Sequence, residues 1–174
     1  ALDAELKLSM RRVIQDVHRS TGSTVLYVTH DQSEALAMAD RIIVMQKGQI
    51  EQVGTPRDIY LHPKTEFVAT FVSKCNLIPG VWLPDGFQVA NTDITYPAGD
   101  IPGVFRSKGF YPVRPEQFRI SRREKGIPAV VTNRQYNGRW ISYSLLQGQK
   151  QVQVVADPGE IYEPGEKVQL IYTA

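Results

Sequence analysis

Leu2, Leu6, Met10, Val13 and Val17 recur at spacings that place them on one side of a helix over residues 2–19. Ser20-Thr21-Gly22 ends that helix, Gly22 suiting a left-handed cap. Residues 25–28, Val-Leu-Tyr-Val, form a short apolar run bounded by turn residues, which predicts a buried strand. Asp31-Gln-Ser-Glu34 has the spacing of a capping box, and the helix behind it carries Ala35, Leu36, Met38 and Ala39. Residues 41–45 predict a second strand, Lys47-Gly48 a tight turn, and residues 49–53 the returning partner. Thr55 and Pro56 open another helix that runs into His62-Pro63. Thr65 caps a last short helix through Phe67, Val68, Phe71 and Val72.

Near Asn76 the helical spacing stops and short alternating strands begin. They are punctuated by the turn pairs Pro79-Gly80, Asp85-Gly86, Asn137-Gly138, Gln147-Gly148, Pro158-Gly159 and Pro164-Gly165. The strongest hairpin pairs residues 129–136 with 139–146 across Asn137-Gly138, and residues 151–156 and 167–172 add two more strands. Strands at this spacing predict a small antiparallel barrel or sandwich. The boundary is expected within residues 73–77, giving an α/β segment over 1–72 and an all-β domain over 76–174.

At 174 residues, 42% of them hydrophobic, the chain has enough apolar material for a packed core. A net charge of +2 offers no large basic field for nucleic acid. The single cysteine, Cys75, allows no internal disulfide and no cysteine metal cluster, and suits a reducing compartment. No apolar run approaches the ~20 residues of a membrane span. No secretory leader pattern is present. The chain starts in a helical pattern without an initiator Met, so a fragment is expected.

The chemistry sits at Thr29-His30-Asp31, where the predicted strand ends. Helix, strand, helix, strand is the order found at the tail of an open α/β sheet, and such sheets bind ligands at the carboxyl ends of their strands. A neutral imidazole there can bond a phosphate oxygen or hold an attacking water. The plain alternative for His30 is a satisfied structural histidine. For Asp31 the helix-cap role is the better reading than nucleotide contact.

In that context "ALDAEL" resembles the D-loop of ATP-binding cassette (ABC) ATPases. "YVTHDQSEALAMADRIIVMQKGQIEQVGTP" resembles their switch-histidine region and the stretch after it. The likeness is to ATPase subunits of bacterial importers with an added C-terminal β domain. "PVRPEQFRI", residues 112–120, resembles the Arg-Pro-Glu signature of that added domain, a TOBE or OB-like regulatory barrel. "YEPGEKVQL" resembles its last turn and strand. The resulting fold class is the end of a P-loop cassette sheet followed by an all-β OB-like domain.

The resemblance implies that His30 contacts the γ-phosphate side of ATP and that Asp3 belongs to the loop meeting the opposite subunit. The plain reading of Asp3 is a first-turn carboxylate favoured by the helix dipole. ATP and Mg are implied for the intact parent, and none is expected to bind this piece alone. Partners implied are transmembrane permease subunits and a second ATPase subunit, at the cytoplasmic face of the inner membrane. The chain has no G-x-x-x-x-G-K-[ST] loop, cassette signature or Walker B strand, so it is expected to be a C-terminal portion that does not hydrolyse ATP alone. Residues 1–55 are also expected to be either poorly ordered or satisfied by self-association through their apolar faces.

Two other classes are open to this sequence. One is a non-enzymatic module sensing a small molecule or partner; the other is an OB-type nucleic-acid binder, which the near-neutral charge argues against. Trp82, Tyr136, Trp140 and Tyr143 are expected in the barrel core and hairpin pairs. Arg114 and Glu116 are either a domain signature or a surface pair, and residues 121–126 a solvated loop. His18 and His62 read as structural or solvated. The transported solute is not legible, with ferric iron, polyamine or phosphonate the leading expectations.

Overall fold

The computed structural model describes residues 4–173. Helix α1 (Ala4–Thr21) has Glu5 in its first turn and His18 and Arg19 in its last, charges that complement the helix dipole. Gly22, at φ 63°, stops it by donating its N–H to the His18 carbonyl. The expected apolar stripe is there, but Leu6, Met10, Val13 and Val17 all stay exposed.

Residues 25–28 depart from the sequence reading. They form no strand, and Leu26 and Val28 are 84% and 86% exposed. A strand is completed by a neighbouring backbone, and none of the described strands lies beside this run.

Helix α2 (Gln32–Met38) leads into the hairpin β1 (Ile42–Gln46) and β2 (Gln49–Gly54). Its turn has Lys47 at φ 49° and Gly48 at φ 80°, the left-handed pair that matches strand twist. Ile42 and Val44 point inward while Ile43 and Met45 face out, the period-two pattern of a sheet covered on one side.

Helix α3 (Pro56–Leu61) starts from a true capping box between Thr55 and Asp58. Thr65 caps α4 (Glu66–Phe71) by accepting from the Val68 N–H. Buried Gln52 sets the bend between these helices. Its amide donates to the His62 carbonyl at 3.1 Å and accepts from the Lys64 N–H at 2.8 Å. Ile42, Val44, Ile59, Val68 and Val72 form the small core of this part.

The β part follows as β3 (Asn76–Leu83), β4 (Gly86–Val89), β5 (Thr95–Pro97), the short α5 (Gly103–Ser107) and β6 (Phe110–Val113). A 3-10 turn (Pro115–Gln117) leads to β7 (Phe118–Ser121), β8 (Ile127–Tyr136), β9 (Ile141–Gln147), β10 (Lys150–Ala156) and β11 (Lys167–Tyr172). One antiparallel sheet has the order β5-β4-β3-β6, the other β10-β9-β8-β11-β7. A single core of residues from both sheets, among them Phe87, Tyr111, Ile127, Tyr143 and Leu170, fills the space between them. The α/β segment followed by an OB-like all-β domain, expected from the sequence, is the observed fold class.

Pro79-Gly80 was expected to turn the chain and instead lies inside β3. Residues 76–79 pair with β6 and residues 80–83 with β4, so the pair marks where β3 changes partners. A Cβ at Gly80 would stand 2.1 Å from the Gln88 carbonyl oxygen and 2.5 Å from the Phe87 ring, so only glycine fits. Tyr143 is buried as expected and Trp82 packs against the core. Tyr136 and Trp140 do not: they sit 67% and 46% exposed at the tip of the β8–β9 hairpin.

Asn76 joins the two sheets. Its amide nitrogen donates to the Gln153 carbonyl at 2.8 Å and to the Val113 carbonyl at 3.2 Å. Its amide oxygen accepts the Gln153 N–H at 2.7 Å. One buried side chain thus pairs the outer backbone edge of β10 as a neighbouring strand would, and holds it to the end of β6.

Candidate functional site

The site is built from the loop between α1 and α2. His30 stands at its bend, exposed, with no hydrogen-bond partner for its ring among the described residues. The residues on either side of it are both fixed. The Thr29 hydroxyl donates to Glu34 Oε2 at 2.8 Å and accepts the Asp31 N–H at 3.0 Å. Asp31 Oδ1 accepts the N–H of Ser33 at 2.9 Å and of Glu34 at 3.3 Å, and the Ser33 hydroxyl at 2.5 Å. Asp31 is therefore the cap of α2, and the Ser33 hydroxyl above all holds its carboxyl below the usual range.

The capping box expected from Asp31 and Glu34 is half formed. Glu34 does not reach back to the Asp31 N–H. Its carboxylate is buried, with Arg11 Nη2 donating to Oε1 at 2.7 Å, and the Thr29 and Tyr27 hydroxyls donating to Oε2 at 2.8 and 3.1 Å. Arg11 and then Thr29 hold the Glu34 carboxyl below its ordinary value, against the burial that alone would raise it. The Tyr27 hydroxyl is raised, by burial first and by Glu34 second.

The other α1 contacts are polar as well. Gln15 Nε2 donates to the Ala37 carbonyl at 3.4 Å, and His18 bridges the Ser23 carbonyl and Asp40. Sequence reading found His30 and Asp31 and missed Arg11, Tyr27 and Glu34 as a group. Arg11 lies on the side of α1 away from the apolar stripe, so the spacing carried no signal for its pairing with Glu34. Asp3 lies outside the described residues. No group of metal-binding side chains is present among the described residues.

Residues 111–173 match the family profile described as the TOBE domain. The spermidine/putrescine import ATP-binding protein PotA of Clostridium novyi is 39% identical over 154 residues, 84% of this chain and 42% of that protein. The Fe(3+) ions import ATP-binding protein FbpC 1 of Pectobacterium atrosepticum is 34% identical over 169 residues, 92% of this chain and 47% of that protein. The multiple sugar-binding transport ATP-binding protein MsmK of Streptococcus mutans is 34% identical over 196 residues, 98% of this chain and 52% of that protein.

The chain belongs to the ATP-binding subunits of bacterial ABC importers. It spans about half the length of these curated relatives and includes a TOBE domain.

The Arg-Pro-Glu turn of the TOBE domain touches the α-helical part. Glu116 accepts the Tyr60 hydroxyl at 2.8 Å, and Arg114 lies 3.2 Å from the same carboxylate and over the Tyr60 ring. Burial first, and then Glu116, push the Tyr60 hydroxyl up to about 12. The Ser73 hydroxyl donates to the Tyr60 carbonyl at 2.8 Å, and Lys108 pairs with Glu66 at 2.8 Å. Beside this junction is a cavity of about 170 Å³ lined by His62, Cys75, Asp100, Arg114, Gln117 and Tyr172 among others. Burial pushes the Cys75 thiol up to about 12. Arg114 and Glu116 are thus a contact between the two parts, and not a free surface pair. No helix among the described residues is long and apolar enough to cross a membrane.

Proposed function

We propose that this chain is the C-terminal portion of the ATP-hydrolysing subunit that powers a bacterial ABC solute importer. In this reading His30 meets the γ-phosphate side of ATP, and Asp3 lies in the loop facing a second ATPase subunit. The observation that carries the proposal is the presentation of His30: an exposed imidazole between two residues fixed by hydrogen bonds, at the entrance to a helix, in a chain related to import ATP-binding proteins. Residues 1–72 form the cassette part and residues 76–174 the TOBE part, a division supported by two separate larger cores, with Ala69, Cys75 and Phe105 packing across the junction.

ATP and Mg bind the whole subunit, which works with transmembrane permease subunits at the cytoplasmic face of the inner membrane. The relatives are named for polyamines, ferric ions and sugars at similar identity, which supports placing solute choice outside this chain. The test is steady-state ATP hydrolysis by the full-length subunit carrying His30→Ala. Turnover should fall at least tenfold with ATP binding retained. A rate near wild type removes His30 from the mechanism.

A further inference from the structure

We infer that Glu34 is the positioning residue of His30, and that through Arg11 it ties the histidine loop to helix α1. The inference rests on the proposed role of His30. Glu34 is the meeting point of three segments: α1 through Arg11, the extended run before His30 through Tyr27, and the residue beside His30 through Thr29. Its side chain is only 7% exposed, and its two oxygens are used for different purposes, Oε1 toward the helix and Oε2 toward the loop.

Thr29 passes the constraint on. The hydroxyl that donates to Glu34 accepts the Asp31 N–H, so the backbone on both sides of His30 is held by one chain of bonds. The His30 ring itself is exposed and has no hydrogen-bond partner among the described residues, as a side chain must be if it is to meet a ligand. A capping glutamate would instead have bonded the Asp31 N–H and left Arg11 unpaired. The observed rotation of Glu34 away from the cap serves the loop and α1, not α2.

The chemistry of the three donors makes the point testable. Arg11 can only donate, and both hydroxyls donate to Glu34 here, so the carboxylate serves them with one oxygen on each side. A glutamine at the same place accepts on one side only. Turned one way, its NH2 group faces Arg11 and that contact is lost; turned the other, the Tyr27 and Thr29 hydroxyls must reverse to accept from it; in both, the charge that anchors Arg11 is gone without loss of volume. Thr29→Val makes the complementary change by removing the hydroxyl and keeping the shape.

Two measurements decide. In this chain, amide exchange of Asp31 should speed up at least tenfold in Glu34→Gln and in Thr29→Val, while β-domain amides keep their wild-type rates. In the full-length subunit, either substitution should lower kcat for ATP hydrolysis about tenfold with KM for ATP within twofold. Added to His30→Ala, either should cause no further loss, since a residue acting only through His30 has nothing left to position. Unchanged Asp31 exchange overturns the inference. So does a double variant whose losses multiply, which would mean that Glu34 acts apart from His30. Faster exchange together with a wild-type rate in His30→Ala supports the positioning and refutes the catalytic role of His30, so the two failures are told apart.

Discussion

Replacing Asn76 with alanine removes the one side chain that pairs the outer edge of β10. Three hydrogen bonds are lost, at 2.7, 2.8 and 3.2 Å. At about 1 kcal/mol net for each bond, the direct loss is about 3 kcal/mol. Two effects move that figure in opposite directions. Val113 is fully buried, so its carbonyl loses a partner that water cannot replace, whereas Gln153 is partly exposed and water can reach its edge. The expected destabilisation is therefore about 2–4 kcal/mol, equivalent to a lowering of Tm by roughly 5–15 °C. Urea titration followed by far-ultraviolet circular dichroism and by the fluorescence of Trp82, which packs on the β core, measures it. Asn76→Asp is the sharper variant. It keeps an acceptor for the Gln153 N–H but sets a carboxylate against two carbonyl oxygens, so at neutral pH it should be less stable than alanine. A loss below about 0.5 kcal/mol in Asn76→Ala would refute the reasoning and mean that the two sheets hold together without this bridge.

Cys75, with its thiol pushed up to about 12 by burial, should react with a disulfide reagent at pH 8 only at the rate of unfolding, which a comparison with urea-unfolded chain measures. The Glu34 and Asp31 carboxyls are held below their ordinary values in the folded chain, so their stabilisation is fully present above that range and disappears as the pH falls through their folded-state values. Order in the His30 loop should accordingly be lost as the pH is lowered below about 4, seen by Asp31 amide signals, while Glu34→Gln shows a weaker pH response. The exposed Leu6, Met10, Val13, Val17, Leu26 and Val28 should drive self-association of this chain, and a strict monomer by light scattering at millimolar concentration would contradict that.

The parts of the fold that were legible in the sequence are those set by nearby residues. Lys47-Gly48 fixes a hairpin and Thr55 with Asp58 starts α3, each within a few positions; Asn137-Gly138 marks a second hairpin, but its loop also takes in Arg139 and Trp140, so Ile141 and not Arg139 stands opposite Tyr136. What was not legible depends on distant partners. Residues 25–28 have the composition of a core strand, but composition does not supply a neighbouring backbone. Pro79-Gly80 is turn chemistry by sequence, yet here it lets β3 exchange β6 for β4, which only the folded sheet reveals. At the candidate site, the Asp31 cap was readable from local spacing, whereas the strand expected to end at His30 is not formed. The role of Glu34 was not readable, because Arg11 lies 23 residues away and a long-range ion pair displaced a local cap.

The place of β11 in its sheet has a consequence for synthesis on the ribosome. Lys167–Tyr172 lies between β8 and β7, both of which are translated well before it. Until it emerges, the facing edges of β7 and β8 have no partner. At the usual 5–20 residues per second, the ~50 residues from the end of β7 to the end of β11 leave the β7 edge open for roughly 3–10 seconds, and the β8 edge for less. During that interval the nascent domain is a split sheet that a chaperone, or a neighbouring nascent chain, can enter. A stop codon just ahead of Lys167 would make the interval permanent, removing only one short strand but leaving both sides of the seam it closes without a neighbour.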